Sequence, residues 1–376
     1  MTEGARQRRI QAGAAVTHVV GTVVPVVPTD FATIQEAIDA APPGSTVKVL
    51  AGTYTEQIAI TKNLKIVGAG MDVTIIRAPS ALVNGQLGFP SIVEIYDGAS
   101  VSLSRLTISG PGSIACGAVD ESGDEIPRLR TGIRVHSEAH LDFGHAAVRD
   151  IHDTPMAQCP RSGTAIAVGQ SQPGTPTATA NIHHSEVTTF QTVGIIAFGV
   201  GSWANISHST ITGPGHAGGV PTDGIELVAG AVGTISHNTV SGNVCPAGFE
   251  FDCGEDFFGV FQHAGIGAGG NGPGTVITHN LVFGNQIGLY LSEVDELSHN
   301  VMVDNDYFGL GLVGFTDGSF TVKGGEITGG DGGVWVVAAF VDTTVVLKNV
   351  AFSGQSGPAV EILEDGGFTA TVIGGP

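Results

Sequence analysis

Two short stretches carry side chains whose types and spacing suit proton transfer. In "PTDGIEL", Asp223 and Glu226 stand three positions apart, and Asp252, Glu255 and Asp256 follow in the next polar stretch, just before His263. Cleaving a glycosidic bond takes two carboxyl groups, an acid for the leaving oxygen and a base or nucleophile opposite it. Asp223 and Glu226 are the leading pair, with Asp252, Glu255 and Asp256 as partners. In "RDIHDT", Asp150, His152 and Asp153 form the second set. Asp150 and His152 alternate onto one face of an extended chain. A histidine base beside a carboxyl can abstract the C5 proton of a uronate, provided a cation or carboxyl neutralises the neighbouring carboxylate. Arg128, Arg130, Arg134 and Arg161 are basic side chains nearby.

These groups need a frame, and the chain supplies a repeat. A short strand recurs as "GIRVHS" at Gly132, "GIIAFG" at Gly194, "GIELVA" at Gly224, "GIGAGG" at Gly265, "GLYLSE" at Gly288, "GLGLVG" at Gly309 and "GVWVVA" at Gly333, with "TAIAVG" at Thr164 as a variant. Between these strands a second phrase brings His184, His208, His237, His279 and His299 to equivalent places, and "DFGHAAV" adds His145. A third aligns Asn243, Asn285 and Asn305. Where nothing is inserted the unit is about twenty residues, the length of one solenoid coil. Alternation turns Ile133, Val135, Ile225, Leu227, Leu289 and Leu291 inward. The His and Asn columns then become ladders with a step of about 4.8 Å. Such regular histidines are structural, whereas His152, His216 and His263 stand outside the column and are functional candidates.

Composition agrees with an all-β chain. Of 376 residues 57 are Gly, and only 13 % are charged. The net charge of −20 argues against nucleic acid and anionic membranes as partners. It disfavours a polyanionic substrate unless a cation such as calcium bridges the two. No apolar run is long enough to span a bilayer. The four cysteines suggest two disulfides, Cys245–Cys253 and Cys116–Cys159, and hence an oxidising, extracellular setting. No C-x-x-C spacing suggests zinc. Residues 1–29 read as an N-terminal segment, a signal remnant and a first strand, and 30–376 as one domain.

The repeat, together with "DFATIQEAIDAAPPGSTVKVLAGTYTEQIAITKNLKIVGAG" from Asp30 to Gly70, resembles the right-handed parallel β-helix proteins of the pectin-lyase-like superfamily. The resemblance implies a helix over Phe31–Ala41 capping the open end, then the first coils. Ile34, Ala37 and Ile38 make its apolar face, and Pro42-Pro43-Gly44 stops it. "GTYTE" at Gly52 resembles pectin methylesterases, but their catalytic aspartate motifs do not follow. "TDGI" is similar to part of the polygalacturonase N-T-D-G motif, with Pro221 in place of Asn. Asp150-Ile-His-Asp153 is similar to the D-P-H-D/E motif of alginate C5-epimerases, with Ile151 in place of Pro.

Extra residues fall at Gly110–Thr131, Asp150–Gly163, Gly213–Asp223 and Gly242–Ala264, each just before a "GI" strand. Coils in register must send all four from one edge, where a rigid scaffold usually carries its site. Acidic groups concentrate there, among them Asp120, Glu121, Asp124, Glu125 and Glu250. Beside them the outward strand positions form a floor: Arg134, Ala167, Ile196, Glu226, Gly267, Tyr290, Gly311 and Trp335, with Phe198 nearby. Tyr290 and Trp335 offer flat faces to sugar rings, and Ile196 and Phe198 make part of the floor apolar. The expectation is a carbohydrate-active enzyme, a glycoside hydrolase or polysaccharide lyase, that requires no cofactor and binds an oligo- or polysaccharide. The alternatives are a C5-epimerase-like enzyme, a non-catalytic β-helix, and a cyclase or isomerase of a small apolar metabolite.

Overall fold

The computed structural model describes residues 24–375 apart from 116, 120, 124, 157–161, 171, 173, 247–262, 271–272 and 317. Its strands form three parallel sheets, one of thirteen strands and two of eleven, and each coil of the chain contributes one strand to each sheet in turn. This is a parallel β-helix. Inward side chains of the three sheets make one continuous core. Ile133, Val135, Ile225, Leu227, Leu289 and Leu291 are all fully buried in it, and Phe143 and Phe190 are its largest buried side chains.

The N-terminal end is closed as the sequence suggests, with a later start. Val26–Val27 pairs with Lys48 and Val49, placing the first strand in the thirteen-strand sheet. The helix is Ile34–Ala40, not Phe31–Ala41, because Thr33 stays extended and caps it. Thr33 Oγ1 accepts the Glu36 N–H while Glu36 reaches back to the Thr33 N–H, a reciprocal capping box. Two further free N–H groups, of Ile34 and Gln35, donate to the Glu56 carboxylate at 3.0 Å each. The last residue of "GTYTE" therefore completes the cap by holding the helix N-terminus.

The histidine column is a ladder of parallel rings. From His145 through His184, His208, His237 and His279 to His299 the centroids step by 4.8–5.0 Å. Every rung has a left-handed backbone, with φ between 50° and 58°. Histidine and asparagine tolerate that conformation better than most residues, which is why the turn selects them. Two buried ladders of asparagine run beside it. Asn243, Asn285 and Asn305 form one, as the repeat suggests. Asn238, Asn280 and Asn300 form the other, and Ser209 and Ser185 extend it toward the N-terminus.

One rung, His184, is expected to make stability depend on pH. Desolvation, then the nearby His145, His208 and His183, lower the pKa of His184. A histidine that takes a proton more readily unfolded than folded stabilises the fold fully above its unfolded pKa of about 6.5, and the contribution shrinks as pH falls through that value. The denaturant midpoint should therefore be lower at pH 5.5 than at pH 7.5. In His184→Asn, which keeps the left-handed turn, the difference between the two midpoints should be smaller.

Candidate active site

The floor is in register. One row of Cα partners in an eleven-strand sheet runs Glu94, Arg134, Ala167, Ile196, Glu226, Gly267, Tyr290, Gly311, Trp335 and Glu361. All four insertions leave the edge that leads into this sheet.

Within the row, a hollow of about 230 Å³ opens where Gly267 stands. Glu226 lies on one side of Gly267 and Tyr290 on the other, two coils apart, or about 9–10 Å along the axis. The Tyr290 ring leans away from Gly267 and over Gly311, where an added Cβ would lie 2.8 Å from Tyr290 Cδ2. A Cβ on Gly267 would meet nothing closer than 3.9 Å. The remaining wall comes from Asp223, His263, Val228, Ser292 and Phe315.

Asp223 opens the strand Asp223–Val228, and His263 immediately precedes the strand Ala264–Gly269. Asp223 Oδ1 accepts the Ala264 N–H at 2.8 Å, and His263 Nδ1 lies 3.3 Å from Asp223 Oδ2. Glu226 is hydrogen-bonded to Asp223. Burial, then the Asp223 charge, then this hydrogen bond raise the Glu226 pKa well above the usual carboxylate range. Two adjacent carboxyl groups in a half-enclosed hollow cannot both ionise freely, which favours the protonated form of Glu226. Burial alone pushes the Tyr290 phenol up to about 12.

The family description "Right handed beta helix region" matches residues 174–350. Among solved structures, the catalytic domain of Agl-KA aligns with 98 % of this chain and 70 % of its own at 16 % identity and a TM-score of 0.58. The A-module of the Azotobacter vinelandii mannuronan C-5 epimerase AlgE4 aligns over 94 % and 98 % at 15 % identity and a TM-score of 0.53. A family 28 exopolygalacturonase from Yersinia enterocolitica aligns over 90 % and 74 % at 13 % identity and a TM-score of 0.52. The chain has the right-handed parallel β-helix fold of these structures. None of the curated protein sequences matches it.

The β-helix brings together only part of what the sequence nominates. Asp223, Glu226, His263 and Tyr290 share the hollow. Asp150, His152 and Asp153 do not line it, because they precede the strand Thr164–Gly169, two coils before Asp223–Val228. His152 Nδ1 lies 2.7 Å from the Asp153 carbonyl oxygen. Asp153 is fully buried, burial raises its pKa, and it exchanges hydrogen bonds with Gln191 of the next coil. His216, in the turn Gly215–Ala217, lies beside Asp306 rather than in the hollow. Ile196 is buried in the floor. Phe198 aligns with Val228 at the strand ends. Trp335 is only 9 % exposed and stacks on Phe308 at 5.5 Å, so little of its ring is open. Arg134 is partly buried, with its Nη2 donating to the Gly169 carbonyl at 2.7 Å, and desolvation lowers its pKa to about 10. Arg128 and Arg130 line a separate hollow of about 260 Å³ with Phe89.

Asp120, Asp124, Arg161, Glu250, Asp252, Glu255 and Asp256 lie outside the described residues, as do Cys116, Cys159 and Cys253. Cys245 is disulfide-bonded, and the pairing expected from the sequence falls on those cysteines outside the described residues.

Three groups escape the sequence reading. Phe315 lines the hollow, is 44 % exposed and stacks on Phe340 at 4.4 Å. Glu94 and His136 form a buried pair at 3.0 Å, with Tyr96 stacked on His136 at 5.3 Å. Burial pushes the Glu94 carboxyl up, but hydrogen bonds from His136 and Gln86 outweigh it and bring the pKa below the usual value. The signal for Glu94 is its place in "VEI", which aligns with "IRV" and "IEL".

Proposed function

We propose that the chain is a carbohydrate-active enzyme, a glycoside hydrolase that cleaves a neutral glycan in the Glu226 hollow. The observation that carries this reading is the placement of Glu226 beside Asp223 in one hollow, where burial and the neighbouring carboxylate raise its pKa. A carboxyl that stays protonated near neutral pH is the acid a departing glycosidic oxygen needs. Asp223, fixed by the Ala264 N–H and the His263 ring, supplies the charge that keeps this proton in place. Tyr290 and Phe315 offer aromatic faces to the C–H groups of a pyranose.

The lining favours hydrolysis over elimination or epimerisation. Both of the latter remove a proton next to a carboxylate, which must be neutralised. Among the described residues no Lys or Arg lines the hollow, and the Asp223 carboxylate would repel a uronate. Tyr290, its phenol held near 12, is no base at neutral pH. The similar structures include an exopolygalacturonase and a mannuronan C-5 epimerase, which supports carbohydrate chemistry as a class. We place it outside the cytoplasm, where a disulfide such as that of Cys245 persists.

Incubation with neutral glucans and xylans, and with pectate and alginate, tests the reading. New reducing ends from a neutral polymer, without unsaturated-uronate absorbance, are expected. Absorbance from a uronate polymer would replace hydrolase by lyase. No product from any polymer would favour a binding module.

A further inference from the structure

The thirteen-strand sheet has an outer face of its own, where the histidine ladder carries something a ladder does not need. His145 and His184 are consecutive rungs, 4.9 Å apart. His183 is not a rung. It stands in a row with Ser104, Gly144, Ser207, Ser236 and Thr278, where its neighbours are small. Gly144 makes room for it, since a Cβ there would lie 2.3 Å from His183 Cε1. The His183 ring lies over that gap, edge-on to His145 at 5.9 Å and to His184 at 5.6 Å. The ligating atoms of the three histidines all lie within 4.8 Å of one another.

The orientation of His183 suits a metal ligand. Its Nε2 lies 3.2 Å from Asp142 Oδ1, and its Nδ1 lies 3.4 Å from His184 Nδ1. When Nε2–H donates to Asp142, the lone pair of Nδ1 points toward His184. A carboxylate behind an imidazole in this way fixes the tautomer and direction of a ligating histidine. Two imidazole nitrogens on a tetrahedral ion with bonds of about 2.0–2.1 Å stand about 3.3–3.4 Å apart. The His183–His184 spacing already has that value, and a ligand atom of His145 lies within 4.8 Å of theirs. Three imidazoles select zinc, cobalt, nickel or copper over calcium or magnesium, which prefer oxygen.

We propose that His145, His183 and His184 bind one divalent transition-metal ion, with Asp142 orienting His183 and water filling the remaining position. The ion joins two successive coils on a sheet different from the one that carries Glu226.

The test uses the untagged full chain, stripped by chelator and titrated with Co2+, whose visible d–d bands report nitrogen ligation. One Co2+ per chain is expected, displaced by Zn2+. His183→Gln and His145→Gln should each weaken binding at least about ten-fold, and Asp142→Asn by about ten-fold. His237→Gln alters a plain rung and should change nothing. Circular dichroism verifies the fold of each variant, and if His183→Gln does not fold, His145→Gln and Asp142→Asn decide. No saturable Co2+ binding, undiminished binding in the folded variants, or an equal loss in His237→Gln would overturn the proposal.

Discussion

Glu226→Gln is expected to keep the fold and to lose about 10²–10⁴ of turnover, the usual contribution of a positioned acid. The side chain faces the hollow rather than the core, and glutamine has nearly the same size. What it cannot do is release a proton to the leaving oxygen. In the wild type, activity should hold while Glu226 keeps its proton and fall as pH rises through its elevated pKa. That alkaline limb should therefore lie above the usual glutamate range. Turnover of the polymer identified by reducing-end release, followed across pH for both forms, checks this. A well-folded Glu226→Gln with wild-type turnover would remove Glu226 from the chemistry.

Asn280→Ala should be among the most destabilising single changes in the chain, at about 3–5 kcal/mol. Asn280 is buried at 1 % exposure. Its Oδ1 accepts from the Asn238 backbone at 3.0 Å and side chain at 3.1 Å. Its Nδ2 donates to the Ile235 carbonyl and to Asn300 Oδ1, both at 2.9 Å. Alanine leaves these partners buried and unmatched, at about 1–3 kcal/mol for each bond that water cannot replace. Asn205→Ala is the control. Asn205 also bonds to neighbouring coils, at 3.3 and 3.1 Å, but it is exposed and water can substitute. It should cost under about 1 kcal/mol. Denaturant midpoints of the two variants give the comparison.

The coil repeat is legible because each strand phrase repeats one local solution. "GI" turns an apolar residue inward, and a histidine at the turn accepts a left-handed backbone. Glu226, Gly267 and Tyr290 are legible as neighbours for the same reason, since equal phase in the repeat means equal place in the row. Height along the axis is harder to read. Asp150-Ile-His-Asp153 leaves the same edge as Asp223, so sequence phase alone groups them, yet two coils separate them. Asn280 was present in "THN" but overshadowed by the histidine beside it, and only the hydrogen bonds between coils reveal its column. Phe315 and the Glu94–His136 pair depend on packing beyond the repeat unit, which periodicity does not encode. Thr33 shows the same limit on a smaller scale, because an N-cap residue looks helical in its pattern while its backbone is extended.

The hollow is a site made by omission. Its walls hold their places without reference to position 267: Glu226 through Asp223, and Tyr290 through the gap above Gly311. The depth available to a guest is thus set at position 267, beside the proton donor. Alanine, serine or threonine at 267 would fill the floor in steps, beginning from a first carbon that has 3.9 Å of clearance. Since Glu226 Cγ is the nearest side-chain atom to that carbon, each step would narrow the hollow on the side of the acid.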